Sequence, residues 1–199
     1  MKTAVIISGG SLDPDFALAF LREEKPELLI GADRGICFLK EKGIHPTHIV
    51  GDFDSASGDA LEYFKQFPEI PIRTFNPVKD FTDTAIAMEL AMEEGADRIY
   101  ILGGTGTRLD HVVANIKLLS HALERKKECI LMDAHNRIRL IDQPLTIEKK
   151  KQYGKYVSLF AFGGQVKGLT LRGFFYPLTE YDMTPENPLG VSNEITAEN

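Results

Sequence analysis

Two carboxylates stand two residues apart at the end of an apolar run. Residues 48–50 (HIV) are followed by GDFDS at 51–55, which contains Asp52 and Asp54. On an extended backbone both side chains would point to one side, with Cα atoms roughly 7 Å apart, so they could share a cation. Mg²⁺ takes oxygen ligands and suits sites where substrate phosphates complete its shell. A tight turn is the alternative explanation, because Gly, Asp and Ser all favour turns.

A third acid, Asp80, lies in KDFTD at 79–83, after the next predicted strand. With Asp52 and Asp54 it would form a divalent-metal site. Each acid also has a local explanation: Asp80 could cap the helix that begins there, with Asp83 in the capping-box position, and Asp54 could cap a turn. The three acids taken together, after neighbouring strands, favour the metal site.

A glycine-rich run, GGTGTRLDH at 103–111, leads from a predicted strand into a predicted helix. Its glycines would let the backbone approach a ligand, and free N–H groups at a helix N-terminus favour an anion. Arg108 would add a guanidinium for phosphate oxygens. The run matches neither the P-loop nor the dinucleotide-binding pattern, so a tight strand-to-helix turn is its local alternative.

The first two thirds of the chain alternate short apolar runs with segments of helical period, which predicts an α/β fold around a mainly parallel sheet. Helices are predicted to begin at Asp13-Pro14 and to span residues 81–94 and 110–125, the last with an apolar stripe. That stripe is Val112, Ile116, Leu119 and Leu123. The predicted strands are residues 3–7, 28–31, 49–52, 72–75, 98–102 and 129–132. In such a sheet, ligands bind beyond the carboxyl ends of the strands.

The character of the sequence changes after residue 136, where short β-prone pieces are separated by Gly, Pro, Asn and Lys. We therefore predict an α/β domain over residues 1–136 and an all-β domain over residues 137–199. About sixty residues are few for an independent sheet, so the second domain should pack on the first or on another subunit.

Composition excludes several classes of protein. The net charge of −6 and the pI near 5.4 argue against nucleic acid as a partner. Two cysteines without a CxxC motif indicate neither a disulfide framework nor a zinc site. The apolar run at the N-terminus is too short, and the residues before it are too weakly basic, for a signal peptide. No later apolar run approaches the length of a membrane span. We expect a soluble cytoplasmic protein, in which metal ions, Arg34, Lys79, Arg108 and backbone amides would neutralise a bound polyphosphate.

The motifs GADRG (31–35), GDFDS, KDFTD and GGTGTRLDH, in this order and spacing, closely resemble those of the thiamine pyrophosphokinase family. GLTLRG (168–173), YPL (176–178) and SNE (192–194) look like the family's C-terminal domain. The resemblance implies a Rossmann-like α/β catalytic domain that binds ATP and a small β-sandwich that binds thiamine. It also implies a homodimeric, Mg²⁺-dependent kinase, a transferase that moves the pyrophosphoryl group of ATP to thiamine and releases AMP.

The resemblance also implies roles for individual residues. Asp52, Asp54 and Asp80 match the Mg²⁺-binding acids. We expect these acids and Asp83 to be catalytic. ATP would be bound by Asp33, Arg34, Lys79, Thr82, Thr105, Gly106 and Arg108. Thiamine would be bound by Asp110, His111, Ser192 and Asn193, the last two reaching it from the partner subunit.

Other functions are compatible with single motifs. A DxD phosphohydrolase would use Asp52 as a nucleophile, but its DxD should follow the first strand rather than the third. A nucleotide-sugar transferase with a DxD metal site and a non-catalytic nucleotide-binding regulator are further alternatives. The chain ends at Asn199, soon after SNE, where related sequences continue. Either the β domain is shortened at its C-terminal end or it closes differently.

Overall fold

The computed structural model describes residues 1–53, 58–74 and 81–197. The chain divides into two compact units, Met1–Asp142 and Gln143–Asn199. Among the described helices, none combines the length and the apolar character that a bilayer crossing requires.

The first unit is a seven-stranded sheet with helices on both faces, and its strand order is β4-β3-β2-β1-β5-β6-β7. All neighbouring strands are parallel except β6 and β7. The strands are β1 (Thr3–Ile7), β2 (Leu28–Ala32), β3 (His48–Gly51), β4 (Ile72–Thr74), β5 (Arg98–Leu102), β6 (Glu128–Met132) and β7 (Arg137–Arg139). The helices are α1 (Pro14–Glu24), α2 (Gly35–Glu41), α3 (Gly58–Phe64), α4 (Asp83–Glu93) and α5 (Leu109–Glu124). The predicted α/β class is confirmed.

The core has two halves because alternate residues of each strand point to opposite faces of the sheet. Ala4 and Ile6 of β1 pack with α4 and α5 on one face, whereas Val5 and Ile7 pack with α1, α2 and α3 on the other. Every residue of β1 and β2 is buried, as expected for parallel strands that helices cover on both sides.

Local capping explains where α1 begins. Asp13 is the N-cap of α1, where its carboxylate accepts a hydrogen bond from the Phe16 amide, and Pro14 occupies the first helical position, as predicted. The predicted stripe on α5 is partly buried: Leu119 lies in the core and Ile116 packs against it.

The chain adds strands first on one side of β1 and then on the other. From β1 the chain builds outward through β2, β3 and β4, and then returns to place β5 on the other side of β1. The ends of β1 and β5 stay paired beyond the strands, because the Ser8 amide donates to Leu102 O and the Gly10 amide donates to Gly103 O, both at 2.8 Å. Such a reversal point is where open α/β sheets form a ligand crevice.

The predicted domain boundary at residues 136 and 137 differs from the division between Asp142 and Gln143. The intervening residues include β7, which the sequence analysis assigned to the second domain. β7 pairs antiparallel with β6, with Leu131 opposite Ile138, and so belongs to the sheet of the first unit. A short turn at residues 133–136 allows this return.

The second unit contains the antiparallel pair β8 (Val166–Leu171) and β9 (Leu178–Met183). Isolated bridges join Val157 to Asn193 and Phe174 to Ile195. Two 3₁₀ turns, Lys149–Lys151 and Pro188–Gly190, complete its described elements. The unit is therefore all-β apart from short turns.

The contact between α2 and β1 gives a stability prediction. An ideal Cβ on Gly35, the first residue of α2, would lie 1.9 Å from the Ile7 carbonyl oxygen, so the backbone would have to move. We expect Gly35→Ala to lower the free energy of unfolding by about 3 kcal/mol, as overpacking against backbone does. Urea unfolding followed by circular dichroism measures the change.

Gly58→Ala is the matched control, because Gly58 is the first residue of α3 and no described atom would lie within 4 Å of a Cβ at this position. It should change the free energy of unfolding by less than about 1 kcal/mol. Equal unfolding midpoints for the two variants would contradict the steric argument.

Candidate functional site

A cavity of about 350 Å³ opens where the carboxyl ends of β1 and β5 lie side by side. Its walls come from the segments that follow β1, β2 and β5 and from the first turns of α4 and α5. The lining residues are Ser8, Gly9, Gly10, Asp33, Arg34, Thr82, Asp83, Thr84, Gly103, Gly104, Gly106, Thr107, Arg108, His111 and Asn115. Three of the four strand-end motifs predicted from the sequence therefore contribute to one cavity.

Two of its walls are backbone with no side chain between them. A Cβ on Gly10 would lie 2.4 Å from Gly103 O, and a Cβ on Gly103 would lie 2.5 Å from Ser8 O. Gly103 also has φ +69°, which a glycine adopts without strain. The segments after β1 and β5 can therefore approach closely and present peptide groups to the cavity.

Three acids form a compact group at this end of the sheet. Asp33 follows β2, Asp52 follows β3 and Asp83 is the first residue of α4, and each offers a carboxylate oxygen within 4.8 Å of the other two. All three side chains are half-buried. Asp33 has φ +48°, a left-handed conformation that Asp tolerates better than most residues. This set of carboxylate oxygens fits a hard divalent cation such as Mg²⁺.

Of the predicted metal set Asp52, Asp54 and Asp80, the structure describes only Asp52. Asp52 belongs to the compact group as well, and Asp83, predicted as catalytic, and Asp33, predicted to bind ATP, complete the group. Asp54, Lys79 and Asp80 lie outside the described residues.

The alternative in which Asp80 caps α4 is wrong. Thr82 is the N-cap, because its hydroxyl accepts a hydrogen bond from the Ala85 amide at 3.2 Å, and the helix begins at Asp83. Asp83 is thereby the first helical residue, not the capping-box partner, and its side chain lines the cavity.

Packing around Gly51 orients the segment that carries Asp52. The ring of Phe53 would lie 3.0 Å from a Cβ on Gly51, and Phe53 packs against the core on the α1–α3 face. The absence of a side chain at Gly51 makes room for this ring. Phe53 has φ +55°, so the chain turns sharply directly after Asp52.

Side chains from α5 and from the segment after β6 anchor the glycine-rich loop. The Asn115 side chain, which is buried on α5, donates to Gly104 O at 2.8 Å. The Thr105 hydroxyl donates to Asp133 Oδ2 at 2.7 Å, where Asp133 directly follows β6. Within the described part of the chain, the cavity lining does not include Thr105, although Gly106 and Arg108 of the same predicted set line it.

Asp133 is ionised under ordinary conditions. Burial of the carboxyl favours its neutral form, but hydrogen bonds from the Thr105 hydroxyl, the His135 amide and Asn136 outweigh burial and hold its pKa below the usual value. The Thr105 hydroxyl consequently acts as a donor to a carboxylate.

Arg108 and Asp110 form an exposed pair at the start of α5. Arg108 Nε and Nη2 donate to the two carboxylate oxygens of Asp110 at 3.1 and 2.5 Å. This contact raises the pKa of Arg108 and lowers the pKa of Asp110. His111 lines the cavity, and its amide donates to Asp110 Oδ1. Arg108, predicted to bind phosphate, and Asp110, predicted to bind thiamine, thus contact each other.

The sequence analysis missed the contribution of β1 to the site. Ser8 and Thr84 are both buried and join their hydroxyls at 2.6 Å, which ties the end of β1 to the first turn of α4. The signal was present in the sequence, because SGG follows the first predicted strand at 8–10. These residues resemble the other strand-end segments in type, since small and polar side chains follow a buried strand.

Ser192 and Asn193, predicted to bind thiamine, lie in the second unit. Asn193 is buried, and its amide group bonds to the backbone of Tyr176 at both ends, accepting at 3.0 Å and donating at 2.7 Å. Ser192 is exposed, has φ +57° and donates its backbone amide to Ser158 Oγ. Asn193 therefore holds the backbone of the second unit, whereas Ser192 presents its side chain to solvent.

The similarity to known proteins covers both units. Residues 22–131 match the model of the thiamin pyrophosphokinase catalytic domain, and residues 143–199 match that of the thiamin pyrophosphokinase vitamin B1 binding domain. A thiamine pyrophosphokinase of Bacillus subtilis (strain 168) is 34% identical over 197 residues, which are 98% of this chain and 90% of that protein.

Solved structures agree with the sequence matches. The crystal structure of thiamine pyrophosphokinase from Bacillus subtilis has a TM-score of 0.86 at 32% identity, with 98% of this chain and 91% of that chain covered. The yeast enzyme has a TM-score of 0.79 at 16% identity, with 100% and 81% covered, and at this identity the likeness concerns the fold alone. The sequence matches over both units therefore confirm what the strand-end motifs implied: this chain belongs to the thiamine pyrophosphokinase family.

Proposed function

We propose that this protein is a thiamine pyrophosphokinase that transfers the pyrophosphoryl group of ATP to the hydroxyethyl oxygen of thiamine and releases AMP. The observation that carries the proposal is the match of both units to the two domain models of this family. The cavity at the ends of β1 and β5 supports it, because it combines peptide walls suited to phosphates with a compact group of acids.

Phosphate binding would rely mainly on the backbone. No acceptor within the described residues pairs with the amides of residues 104–107, and α5 begins at Leu109 with its N-terminus toward the same loop. Amides at such a position favour an anion. Arg108 could add a bidentate contact by exchanging Asp110 for a phosphate, since both side chains are exposed and free to rearrange.

The acids Asp33, Asp52 and Asp83 would hold Mg²⁺, and the predicted ligands Asp54 and Asp80 stay proposals. The ion would neutralise charge on the phosphates as the bond to the AMP oxygen breaks. The protein's own part is to fix the acids: α4 orients Asp83, and the turn after β2 orients Asp33.

The hydroxyl proton of thiamine needs an acceptor as the oxygen attacks the β-phosphorus. Asp83 and Asp110 are the acids that the sequence suggested for this step. Asp83 lines the cavity, whereas Asp110 contacts Arg108 at the surface. This difference favours Asp83. We expect direct transfer in line with the leaving AMP, without a covalent intermediate on the protein.

Thiamine itself carries a cationic ring that aromatic faces attract. The second unit exposes Phe175 and Tyr176, which are 62% and 63% exposed. Their rings contact edge to face, with the ring centroids 4.8 Å apart. Two exposed rings in contact form a small apolar surface that could contact a ligand or another chain. They support the proposed homodimer with thiamine near the subunit interface. A cytoplasmic location stays a prediction of the sequence.

The proposed reaction predicts products that can be measured directly. The purified protein, mixed with ATP, Mg²⁺ and thiamine, should form thiamine diphosphate and AMP in equal amounts, as chromatography of the nucleotides and thiamine esters would show. Omitting thiamine should abolish AMP formation. ATP turnover that continues without thiamine, or release of ADP, would contradict the proposal.

Metal binding predicts the behaviour of two isosteric variants. Asp52→Asn and Asp33→Asn each remove one charge while keeping volume, and Asn tolerates the left-handed backbone at residue 33. Each should weaken Mg²⁺ binding roughly tenfold or more, since affinity follows the number of charged ligands. Calorimetric titration of the protein with Mg²⁺ in the presence of a non-hydrolysable ATP analogue measures the affinity.

Glu124→Gln is the control for charge removal, because Glu124 is the exposed last residue of α5, whose first turn is the end that lines the cavity. It should leave the Mg²⁺ affinity unchanged. Wild-type affinity in both Asp52→Asn and Asp33→Asn would exclude this acidic group as the metal site.

The proposed dimer predicts the mass in solution. Light scattering at micromolar concentration should give about twice the chain mass of 22.2 kDa. A mass equal to that of one chain would argue against a site shared between subunits.

A further inference from the structure

We propose that Asp133 is a positioning residue, which holds the glycine-rich loop at residues 103–107 through the hydroxyl of Thr105 so that the loop amides stay aligned for phosphate. The inference rests on the proposed function, in that the loop binds the phosphates of ATP. It changes the role of Thr105, which the family resemblance implied to be an ATP contact.

Asp133 is itself held by the turn that follows β6. Its Oδ1 accepts from the backbone amides of His135 and Asn136, both at 2.7 Å, and its own amide donates to Asn136 O at 3.0 Å. Its Oδ2 accepts from Thr105 Oγ1 at 2.7 Å. Oδ1 thus orders the turn, and Oδ2 accepts from the loop at 2.7 Å and, at 3.2 Å, from the Asn136 side chain of the turn.

Three consecutive loop residues are anchored by three different elements. Gly103 O accepts from Gly10 after β1, Gly104 O accepts from Asn115 on α5, and the Thr105 hydroxyl donates to Asp133 after β6. The anchors use the carbonyl and hydroxyl groups of these residues. The amides of residues 104–107 are left for a ligand, as none has a described acceptor.

The loop needs firm anchoring because its last residue, Thr107, adopts a conformation of higher energy. Gly106 has φ +89°, which glycine adopts without strain, but Thr107 has φ +50°. For a β-branched residue such as Thr107, a positive φ is unfavourable and persists only where the surroundings impose it. The hydrogen bond from Thr105 to a charged acceptor is the last anchor before this strained residue, and charged acceptors form the stronger hydrogen bonds.

The test is a double-mutant cycle on the full chain with Thr105→Val and Asp133→Ser. Valine keeps the shape of Thr105 without the hydroxyl. Serine keeps one oxygen for the turn amides but lacks the second oxygen that accepts from Thr105. Calorimetry with ATP and Mg²⁺, without thiamine, gives the dissociation constant, and steady-state assays give KM for ATP and kcat.

We expect Thr105→Val to weaken ATP binding roughly tenfold, with a matching rise in KM and a smaller fall in kcat, since one charge-assisted hydrogen bond is lost. In the Asp133→Ser background the same substitution should change ATP binding by less than about twofold, because its partner is already gone. Thr105→Ser, which restores a hydroxyl, should bind ATP as the wild type does.

Thr47→Val is the matched control. The Thr47 hydroxyl donates to Leu29 O and accepts from the Leu29 amide, both at 3.0 Å, near the opposite end of the sheet, so the variant loses at least as much hydrogen bonding away from the cavity. It should lower the melting temperature without changing the affinity for ATP. A purely structural role of Thr105 would give this same pattern and would overturn the proposal.

Two other results would also overturn it. If Thr105→Val weakened ATP binding equally with and without Asp133, Thr105 would contact ATP directly and Asp133 would not position it. If Thr105→Ser were as impaired as Thr105→Val, the hydroxyl would not be the anchor. Because ATP binding is measured without thiamine, a wild type that binds ATP yet makes no thiamine diphosphate would disprove the proposed function while the cycle still tested the anchor.

Discussion

The close contact between two stretches of backbone, after β1 and after β5, is the constraint on which the site depends. Gly10 and Gly103 approach so closely that neither position has room for a Cβ. The approach follows from the sheet topology, since β5 returns to the side of β1 that β2 does not occupy. Because the two segments meet without side chains, the floor of the cavity consists of peptide groups, and charged side chains can enter only from its rim.

The rim has an acidic edge, which also carries Arg34, and a basic edge. Asp33, Asp52 and Asp83 come from the half of the sheet that contains β2, β3 and β4. Arg108 and His111 come from the start of α5, which follows β5. An acidic protein can therefore offer both a cation site and the guanidinium of Arg108 to one polyphosphate, since they occupy different edges of the same crevice. Net charge alone does not reveal this arrangement.

Much of the catalytic unit could be predicted from the sequence. Buried parallel strands read as continuous apolar runs, and the N-cap of α1 was identified from Asp13-Pro14. The class of site followed from the rule that strand ends carry function. The cap of α4 was wrong, because Thr82 rather than Asp80 caps this helix. The sequence analysis did not place Asp33 in the acidic group with Asp52, and the predicted ligands Asp54 and Asp80 lie outside the described residues. Side-chain direction after a strand depends on backbone turns such as those at Asp33 and Phe53, which residue spacing does not encode.

The sequence analysis assigned β7 to the second domain, whereas β7 pairs with β6 in the first unit. A short β-prone segment does not reveal which sheet it joins.

The packing of Phe53 on Gly51 has a consequence for how the site responds to ionic strength. The turn that sets the direction of Asp52 is held by an apolar contact with the core, which dissolved salt does not screen. The pair Arg108–Asp110, in contrast, is exposed to solvent, and salt at physiological concentration weakens such an attraction. Rising salt should therefore loosen the basic edge of the crevice while the acidic edge keeps its geometry, so that the two edges differ in their tolerance of the ionic environment.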